Sequence, residues 1–308
     1  MPGIDVSRES RPAGSRYVDR VECASRGQPS EKRSANSAKA HGEKIMAANP
    51  ESVAGLNETP AGMSPEEWRT RADLAAAYRL AVIYGWTDLN NTHFSARIPG
   101  SDHFLLNPFG MFFDEITASS LIKVDHRGEI IGDSGYPTNP AGFVIHGAIH
   151  MAAADANCII HTHSRFGTAV SMQQHGLLPS SQKALTLMGW IAYHDFEGAA
   201  LDKAEQPRIV GDLADKKIMI LRNHGLLSVG KSMGEAFVWM YRIETACRMQ
   251  IDAMSGGAPL NPISKATQQH TIEQGLEMYA PGGFIEAGLE WPALIRQLER
   301  VDGSGYRT

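Results

Sequence analysis

Regular alternation of apolar and polar positions begins only after about residue 62. Residues 1–62 are rich in Ser, Arg, Gly, Ala, Pro and Glu, and they carry almost no apolar periodicity. Such a segment cannot bury enough surface to offset the entropy that it loses on ordering. We therefore interpret residues 1–62 as a disordered leader, within which Met46 is an alternative start position, as is Met63 directly after it.

The first periodic segment is a helix that begins at Ser64. Ser64 at the N-cap, Pro65 at the first helical position and Glu67 at N3 together predict a capping box. Apolar residues then recur at helical spacing until Gly85 ends the helix. The predicted apolar stripe consists of Trp68, Leu74, Ala75, Tyr78 and Val82.

The pattern then changes to short alternating runs, which predict strands at residues 92–98, 103–107, 121–124 and 129–131. A helix that begins at Asn139-Pro140 follows. Apolar runs predict further strands at residues 158–163, 190–194 and 217–221, with helices at 167–172, 180–188, 232–254 and 290–299. This order predicts one α/β domain over residues 63–255 and a C-terminal extension over residues 256–308 that packs loosely on it.

Composition narrows the class of protein. Of the 308 residues, 43% are hydrophobic and 20% are charged, which is typical of a globular protein with a sizeable core. The net charge of −5 argues against nucleic acid as a partner, because phosphate binding needs concentrated Lys and Arg. No apolar run approaches the length that spans a bilayer, and the three cysteines form no disulfide pattern. We therefore expect a cytoplasmic protein with neither a nucleic-acid nor a membrane partner.

The most informative polar residues lie in the segment from Cys158 to Gly167. Its apolar start predicts a strand, and residues two apart on a strand point to the same face. The imidazoles of His161 and His163 therefore converge, as a pair of ligands for a borderline-soft divalent metal would. An HxH pair alone is weak evidence, because most such pairs are ordinary surface or core histidines.

A third histidine strengthens the prediction. His224 directly follows the apolar strand at residues 217–221, and Gly225 beside it permits a tight turn and close backbone approach. Three histidines with one open position are the ligand set of many catalytic zinc sites. We therefore predict that His161, His163 and His224 bind zinc, or another divalent metal such as Mn, Co or Fe.

Taken together, these motifs make the chain similar to the class II aldolase/adducin family over about residues 66–255. The segments that carry the resemblance are Asn107-Pro-Phe-Gly110, Glu115-Ile-Thr-Ala-Ser-Ser120, Ala141-Gly-Phe143, Val170-Ser171, Gly176-Leu-Leu-Pro179, Ala192-Tyr-His-Asp195 and Leu221-Arg-Asn-His-Gly-Leu226. Several of them are closer to the adducin head than to the sugar-phosphate aldolases. The resemblance implies a three-layer α/β/α fold with a central, mostly antiparallel sheet, and a homotetramer with the site near a subunit interface.

The chain departs from the sugar-phosphate aldolases at the positions that handle acid/base chemistry and phosphate. Gly142 stands where those enzymes carry a catalytic glutamate, Pro140 and Ala141 stand at about the two phosphate-binding serines, and Thr92-His93 replaces a Gly-Asn pair. A pocket without these hydroxyls and this glycine should bind phosphate poorly. The predicted substrate-binding residues are Thr92, His93, Phe109, Gly110 and Asn139.

Tyr193 matches the aldolase tyrosine that enters a neighbouring subunit's site and donates a proton. The resemblance therefore implies a catalytic role for Tyr193, although an ordinary interface tyrosine fits the pattern equally well. His93, His146 and His150 are expected to be structural rather than catalytic, with His146 either packed in the core or hydrogen-bonded to a metal-ligating residue.

These features predict a metal-dependent carbon–carbon lyase, of aldolase or decarboxylase type, with a metal-stabilised enolate and a small non-phosphorylated carbonyl or hydroxy-acid substrate. Loss of the glutamate favours decarboxylation modestly, because losing CO2 needs no base to remove a hydroxyl proton. A different base, such as His93 or a metal-bound hydroxide, would restore aldol chemistry. The alternatives are a non-catalytic, adducin-like assembly module and a metal-dependent dehydratase.

Overall fold

A seven-stranded sheet with the order β3-β2-β1-β4-β7-β6-β5 lies at the centre of the fold. The computed structural model describes residues 59–199, 201–286 and 288–308. The strands are β1 (His93–Arg97), β2 (Phe104–Leu106), β3 (Ile122–Val124), β4 (Cys158–Thr162), β5 (Ile191–His194), β6 (Ile218–Leu221) and β7 (Gly225–Gly230). Every neighbouring pair is antiparallel except β5 and β6, which confirms the mostly antiparallel sheet.

Helices cover both faces of this sheet. They are α1 (Pro65–Tyr84), α2 (Pro140–Ala152), α3 (Arg165–Ser171), α4 (Gln182–Leu185), α5 (Gln206–Leu213), α6 (Met233–Ser255), α7 (Lys265–Met278) and α8 (Glu290–Val301). Helices α1, α3, α6 and α8 pack with one face of the sheet, and α2 and α5 pack on the other. This arrangement is the predicted α/β/α fold.

Alternation along β4 assigns its side chains to the two layers. Cys158 and Ile160 belong to the larger core under α1 and α6, whereas Ile159 belongs to the smaller core under α2 and α5. Because residues two apart share a face, His161 projects with Ile159 toward the α2 layer. Tyr78 and Phe94 both lie in the larger core, where their rings stack with centroids 4.7 Å apart.

Helix α1 begins as predicted, but only half of the predicted capping box forms. Ser64 accepts a hydrogen bond from the backbone N–H of Glu67 at 3.1 Å. The Glu67 carboxylate, however, pairs with Arg71 at 3.0 Å and with Lys123 at 2.9 Å, because the sheet brings a lysine within reach. Val82 was wrongly placed on the apolar stripe, since it is 38% exposed.

Two other predicted elements are shorter than expected. The strand predicted at residues 129–131 is reduced to an isolated bridge between Val124 and Ile130. The helix predicted at residues 180–188 is only the four-residue α4: Ser181 caps its start, and a 3-10 turn at Met188–Trp190 follows its end. Both segments lie at the ends of regular structure, where boundaries are set by local hydrogen bonds.

The C-terminal extension divides into an exposed part and a buried part. Helix α7 is largely exposed, but Trp291 and Leu298 of α8 and the later Tyr306 join the larger core. The Tyr306 carbonyl accepts a hydrogen bond from the backbone N–H of Ala118 at 2.8 Å. The prediction of loose packing is therefore wrong for residues 290–306, because an apolar face of α8 covers α1 and α6. The boundary at residue 255 stays a prediction.

The predicted leader lies outside the described residues, apart from residues 59–62. Across the described part of the chain, no helix combines the length and the apolar character needed to cross a bilayer.

Candidate metal centre

Two of the predicted ligands lie at the end of strand β4, in the middle of the sheet. Strand β4 pairs with β1 on one side and with β7 on the other, and His161 is the register partner of both His93 and Leu227. His161 is 1% exposed, whereas His163, just past the strand, is partly exposed. The pair therefore reaches from the core to the edge of the α2 layer.

The third predicted ligand lies in the tight turn that joins β6 to β7. Asn223 adopts a left-handed conformation with φ of 57°, which Asn tolerates better than most residues do. Gly225 must lack a side chain, because a Cβ there would lie 2.4 Å from the carbonyl oxygen of Thr162. The turn thus brings His224 against the end of β4, as the sequence predicts for close backbone approach.

The three imidazoles converge on one point. The His163 Nε2 atom lies 3.0 Å from the Nε2 atoms of both His161 and His224. One ring nitrogen from each of the three residues lies within 4.8 Å of the others. The predicted ligand set is thus brought together by two separate parts of one sheet.

Hydrogen bonds on the outer side of two rings fix which nitrogen carries the proton. The His161 Nδ1 atom donates to the carbonyl of Leu226 at 2.9 Å, and the His163 Nδ1 atom donates to the Asp88 carboxylate at 2.9 Å. Since both acceptors lack protons, the two Nε2 atoms of the neutral rings carry lone pairs that face each other.

Burial keeps two of the three rings, those of His161 and His224, neutral. Burial lowers the pKa of His161 well below its usual value, and the neighbouring His224 lowers that pKa further. Burial, followed by the charge of His163, lowers the pKa of His224 to about 4. Both rings are therefore neutral at pH 7, the protonation state in which an imidazole binds a metal.

The donor set fits a divalent cation. Two lone pairs 3.0 Å apart repel each other unless a positive charge lies between them. Zinc–nitrogen bonds of about 2.0 Å in a tetrahedron place the nitrogens about 3.3 Å apart, so small side-chain shifts suffice. Outward hydrogen bonds from Nδ1 to a carbonyl and a carboxylate are the usual supports of metal-ligating histidines.

Asp88 is the residue of this site that the sequence did not reveal. It lies in the turn after α1, which carries no metal-ligand spacing relative to His163. The neighbouring Leu89 has a φ of 49°, a left-handed conformation that is unusual for leucine. A strained turn that holds a carboxylate beside a candidate ligand is a signal of function that only the backbone geometry provides.

Of the five predicted substrate-binding residues, His93 contacts the cluster, with its ring centroid 5.1 Å from that of His161. Thr92 is fully buried, and its Oγ1 has no hydrogen-bond partner among the described residues.

The other three predicted substrate-binding residues make contacts elsewhere. Gly110 has a φ of 124° beside Tyr136, and Asn139 donates to the carbonyl of Asn91 at 3.3 Å. Phe109 bonds through its backbone N–H to Pro137. Substrate binding by these residues stays a prediction.

Tyr193 lies on strand β5, two strands beyond β7 in the sheet. Its hydroxyl accepts a hydrogen bond from the Leu177 N–H at 3.1 Å, and the Arg222 guanidinium lies 4.7 Å from its ring centroid. Burial raises the pKa of its hydroxyl above the usual value. These contacts are all outside the three-histidine cluster, so its catalytic role stays a prediction that requires a second subunit.

A large cavity of the described structure does not coincide with this chemistry. A cavity of about 400 Å³ lies near Ala153, Trp190, Lys217, Trp239 and Tyr279. No histidine lines it, and its lysines pair with nearby carboxylates, such as Lys217 with Glu235 at 3.5 Å. We therefore assign the candidate site by the geometry of its donors rather than by cavity size.

Comparison with known proteins identifies the family. The model of the class II aldolase and adducin N-terminal domain matches residues 72–251. The chain belongs to this family.

Solved structures and curated relatives agree. An aldolase II superfamily protein from Pseudomonas syringae superimposes with a TM-score of 0.74 and 50% identity, covering 80% of this chain and 98% of that one. An L-fuculose 1-phosphate aldolase from Glaciozyma antarctica gives a TM-score of 0.68 and 30% identity over 82% and 97%. Alpha-adducin of Rattus norvegicus is 40% identical over 77% of this chain, which spans 34% of the adducin's length. The predicted family and fold are thereby confirmed.

Proposed function

We propose that this chain is a metal-dependent carbon–carbon lyase acting on a small, non-phosphorylated carbonyl or hydroxy-acid substrate. The observation that carries the proposal is the convergence of the Nε2 atoms of His161, His163 and His224, two pairs of which are 3.0 Å apart. A divalent cation held by these atoms, with zinc as first choice, supplies Lewis acidity toward a substrate carbonyl. Histidines bind a metal as neutral imidazoles, so three of them would leave the charge of the cation largely uncompensated, which favours an anionic substrate.

The proposed lack of a phosphate group rests on the residues beside the cluster. Thr92 and His93 stand where the sugar-phosphate aldolases carry a Gly-Asn pair, and both are buried, at 0% and 1% exposure. A buried threonine and a buried imidazole offer none of the free backbone N–H groups of a glycine-rich phosphate loop. A carboxylate or an uncharged sugar is the better match.

Two reactions fit this site. Decarboxylation is favoured because Gly142 offers no carboxylate to remove a hydroxyl proton. Retro-aldol cleavage is supported by the 30% identity to an L-fuculose 1-phosphate aldolase, and His93 would then act in place of the glutamate. Dehydration is a third reaction that a Lewis-acid site can promote.

A non-catalytic assembly module is the second candidate function. It is favoured by the 40% identity to alpha-adducin over 250 residues, which form about a third of that protein. The two candidates differ in what they require of the histidines. A catalytic site must hold a cation with one open position, whereas an assembly module needs only the folded surface.

Metal content is the first test. Protein loaded with zinc and then dialysed should retain about one ion per chain, measured by plasma mass spectrometry, and His161→Ala should lose most of it. His126→Ala is the matched control, because His126 is exposed and lies apart from the cluster. Native protein that takes up no zinc, cobalt or manganese would contradict the catalytic proposal.

Product release is the second test. Hydroxy-acid and keto-acid substrates should be screened for CO2 and aldehyde release, with and without a chelator. CO2 release that the chelator abolishes identifies a decarboxylase, whether or not an aldehyde accompanies it, and aldehyde release without CO2 identifies an aldolase. Absence of both from metal-loaded protein across the screen would favour the assembly module.

The homotetramer and the role of Tyr193 are tested together. We expect light scattering to give the mass of four chains. Tyr193→Phe should leave that mass and the zinc content unchanged while lowering kcat at least tenfold, as loss of a proton donor does. An unchanged kcat would show that Tyr193 is an ordinary structural tyrosine.

A further inference from the structure

Strand β1 and helix α2 place four polar side chains face to face in the interior. His93 and Ser95 are two apart on β1 and share a face, and His146 and His150 are four apart on α2 and share a stripe. All four residues are at most 1% exposed. Burial of three imidazoles and a hydroxyl in one patch costs free energy unless each polar atom is hydrogen-bonded.

The four side chains form one continuous hydrogen-bonded chain. His93 Nδ1 lies 3.2 Å from His146 Nε2, and His146 Nδ1 lies 2.7 Å from Ser95 Oγ. Ser95 Oγ lies 2.7 Å from His150 Nε2, and His150 Nδ1 lies 2.7 Å from the carbonyl oxygen of Ala156. We call these four side chains, with the Ala156 carbonyl, the histidine–serine relay.

The carbonyl at one end fixes the direction of every bond in the relay. Because the Ala156 carbonyl can only accept, His150 carries its proton on Nδ1 and accepts from the Ser95 hydroxyl at Nε2. The Ser95 oxygen has then given its only proton, so it must accept from His146 Nδ1.

The same direction continues to His93. With its proton on Nδ1, His146 accepts at Nε2 from His93 Nδ1. His93 therefore keeps an unprotonated Nε2, and hydrogen bonds among the described residues involve only its Nδ1. The Ala156 carbonyl thus sets the direction of all the hydrogen bonds in the relay, and as a result the Nε2 atom of His93 carries a lone pair.

That lone pair belongs to a ring that adjoins the three-histidine cluster. His93 and His161 are register partners on neighbouring strands, and their ring centroids are 5.1 Å apart. On the α2 side, a Cβ at Gly142 would lie 3.0 Å from His93 Cγ, so glycine at this position avoids a tight contact with the ring. Nε2 lies across the ring from Cγ, on the edge away from Gly142.

We propose that the histidine–serine relay holds His93 in the Nδ1-protonated form, so that its Nε2 accepts a hydrogen bond from the hydroxyl of a substrate bound at the three-histidine site. This role deepens the proposed function and rests on it. His93 touches the substrate, and His146, Ser95 and His150 are positioning residues that act through it. The site would therefore select ligands that carry a hydroxyl next to the group held by the cation.

Replacing Ser95 should free His93 from the Nδ1-protonated form without changing the three-histidine cluster. In Ser95→Ala, the His146 Nδ1 atom loses its acceptor, so His146 can carry its proton on Nε2 and donate it to His93 Nδ1. His93 would then carry its own proton on Nε2 and lose its acceptor. Ser95→Thr keeps the hydroxyl and is the matched control.

The first experiment locates the protons directly. Neutron diffraction from crystals of the zinc-loaded native protein should show deuterium on Nδ1 of His93, His146 and His150. A deuteron on His93 Nε2 would overturn the proposal whatever the enzyme's activity, and this readout needs no variant to fold.

The second experiment uses two small probes, one with a hydroxyl donor and one in which a methyl group replaces the hydroxyl hydrogen. Glycolate carries a hydroxyl, whereas methoxyacetate carries a methyl ether, and calorimetry should give a glycolate preference of about tenfold in the native zinc protein, the value of one hydrogen bond. The preference should vanish in Ser95→Ala and persist in Ser95→Thr, at equal zinc content.

The outcomes separate the two proposals. Zinc and glycolate binding with equal preference in the native protein and Ser95→Ala would overturn the relay but not the metal site. Failure of the native protein to bind zinc would overturn the proposed function and the relay's role with it. If neither Ser95 variant folds, the deuterium positions in the native protein alone decide.

Discussion

The Asp88 carboxylate accepts a hydrogen bond from His163 Nδ1 at 2.9 Å, and this contact joins the turn after α1 to the candidate metal centre. Both partners are partly exposed: the side chain of Asp88 is 42% exposed and that of His163 is 24% exposed. A carboxylate in this place orients the ring and makes its other nitrogen more basic. Asp88 is therefore part of the candidate centre although it contributes no ligand atom to the cluster.

Replacing Asp88 should weaken metal binding without unfolding the protein. We expect Asp88→Ala to raise the Kd for zinc by about 10- to 100-fold, because outer hydrogen bonds of this kind contribute that much to metal affinity. Asp88→Asn should have a smaller effect, since an amide oxygen can still accept the bond. Competition with a chromophoric chelator gives the Kd. Asp102→Ala, at an exposed position, is the control. An equal loss of zinc affinity in Asp88→Ala and Asp102→Ala would exclude a specific role of Asp88 in metal binding.

The left-handed turn before His224 predicts a backbone effect at Asn223. Its side chain is exposed, so substitutions there act mainly through the φ of 57°. Asn223→Val should lower the free energy of unfolding by about 1–2 kcal/mol and weaken zinc binding, because a branched side chain disfavours this conformation. Asn223→Gly should preserve both quantities. Urea denaturation and chelator competition measure them, and equal behaviour of the two variants would contradict the backbone explanation.

The buried ion pairs of Glu67 predict a stability effect remote from the metal. Burial opposes the charge of Glu67, but its hydrogen bonds with Lys123 and Arg71 outweigh burial and hold its pKa below the usual value. Glu67→Gln leaves the Arg71 guanidinium, 7% exposed, without its counter-charge. We expect a loss of about 3 kcal/mol in the free energy of unfolding.

The matched control for Glu67 is its neighbour in the same turn. Glu66 pairs with Arg69, and both side chains are about half exposed, at 52% and 45%. Glu66→Gln should therefore cost less than about 1 kcal/mol. Zinc content should be unchanged in both variants, and similar losses of stability would show that burial does not decide the effect.

The buried histidines predict that the metal-free protein loses stability in mild acid. Burial lowers the pKa of His150 to about 3, with Arg97 adding to the effect against the opposing Ala156 carbonyl bond. Since an unfolded histidine has a pKa of about 6.5, the unfolded state binds the proton first as pH falls. The contribution of neutral His150 is thus complete above pH 6.5 and is lost as pH falls toward 3.

Urea denaturation of chelator-treated protein at pH 6.0 and 5.0 measures this dependence. His150→Gln should reduce the loss of stability across that unit by about 1 kcal/mol relative to native protein. His126→Gln, at an exposed position, should leave it unchanged. Parallel stability curves for native protein and His150→Gln would contradict the prediction.

The sequence was informative where one short segment carries the whole signal. The cap at Ser64 and the apolar spacing along α1 predicted that helix, and the apolar runs before His161 and His224 predicted two buried strands. Their convergence followed once both were placed at strand ends, because neighbouring strands of one sheet bring such ends together.

The sequence was uninformative where function depends on contacts between distant segments. Asp88 and His163 are 75 residues apart, and His93 and His146 are 53 apart, so no spacing links them. The sequence predicts that His146 is either packed or hydrogen-bonded to a ligating residue. It is buried, and its bond is to His93, which contacts His161 but is not itself a predicted ligand. The close packing of α8 is not evident from the sequence, because its apolar face can be recognised as a core face only when α1 and α6 lie beside it.

The position of Trp291 has a practical consequence. A Cβ at Gly234 would lie 2.6 Å from Trp291 Cγ, so the indole is seated directly on the backbone of α6. The family pattern stops at residue 251, but the hydrophobic core continues through Trp291, Leu298 and Tyr306. A protein truncated to the family segment would expose the bare flank of α6 to water and would tend to aggregate. A shortened protein that stays folded and does not aggregate must therefore include Trp291 and the rest of α8.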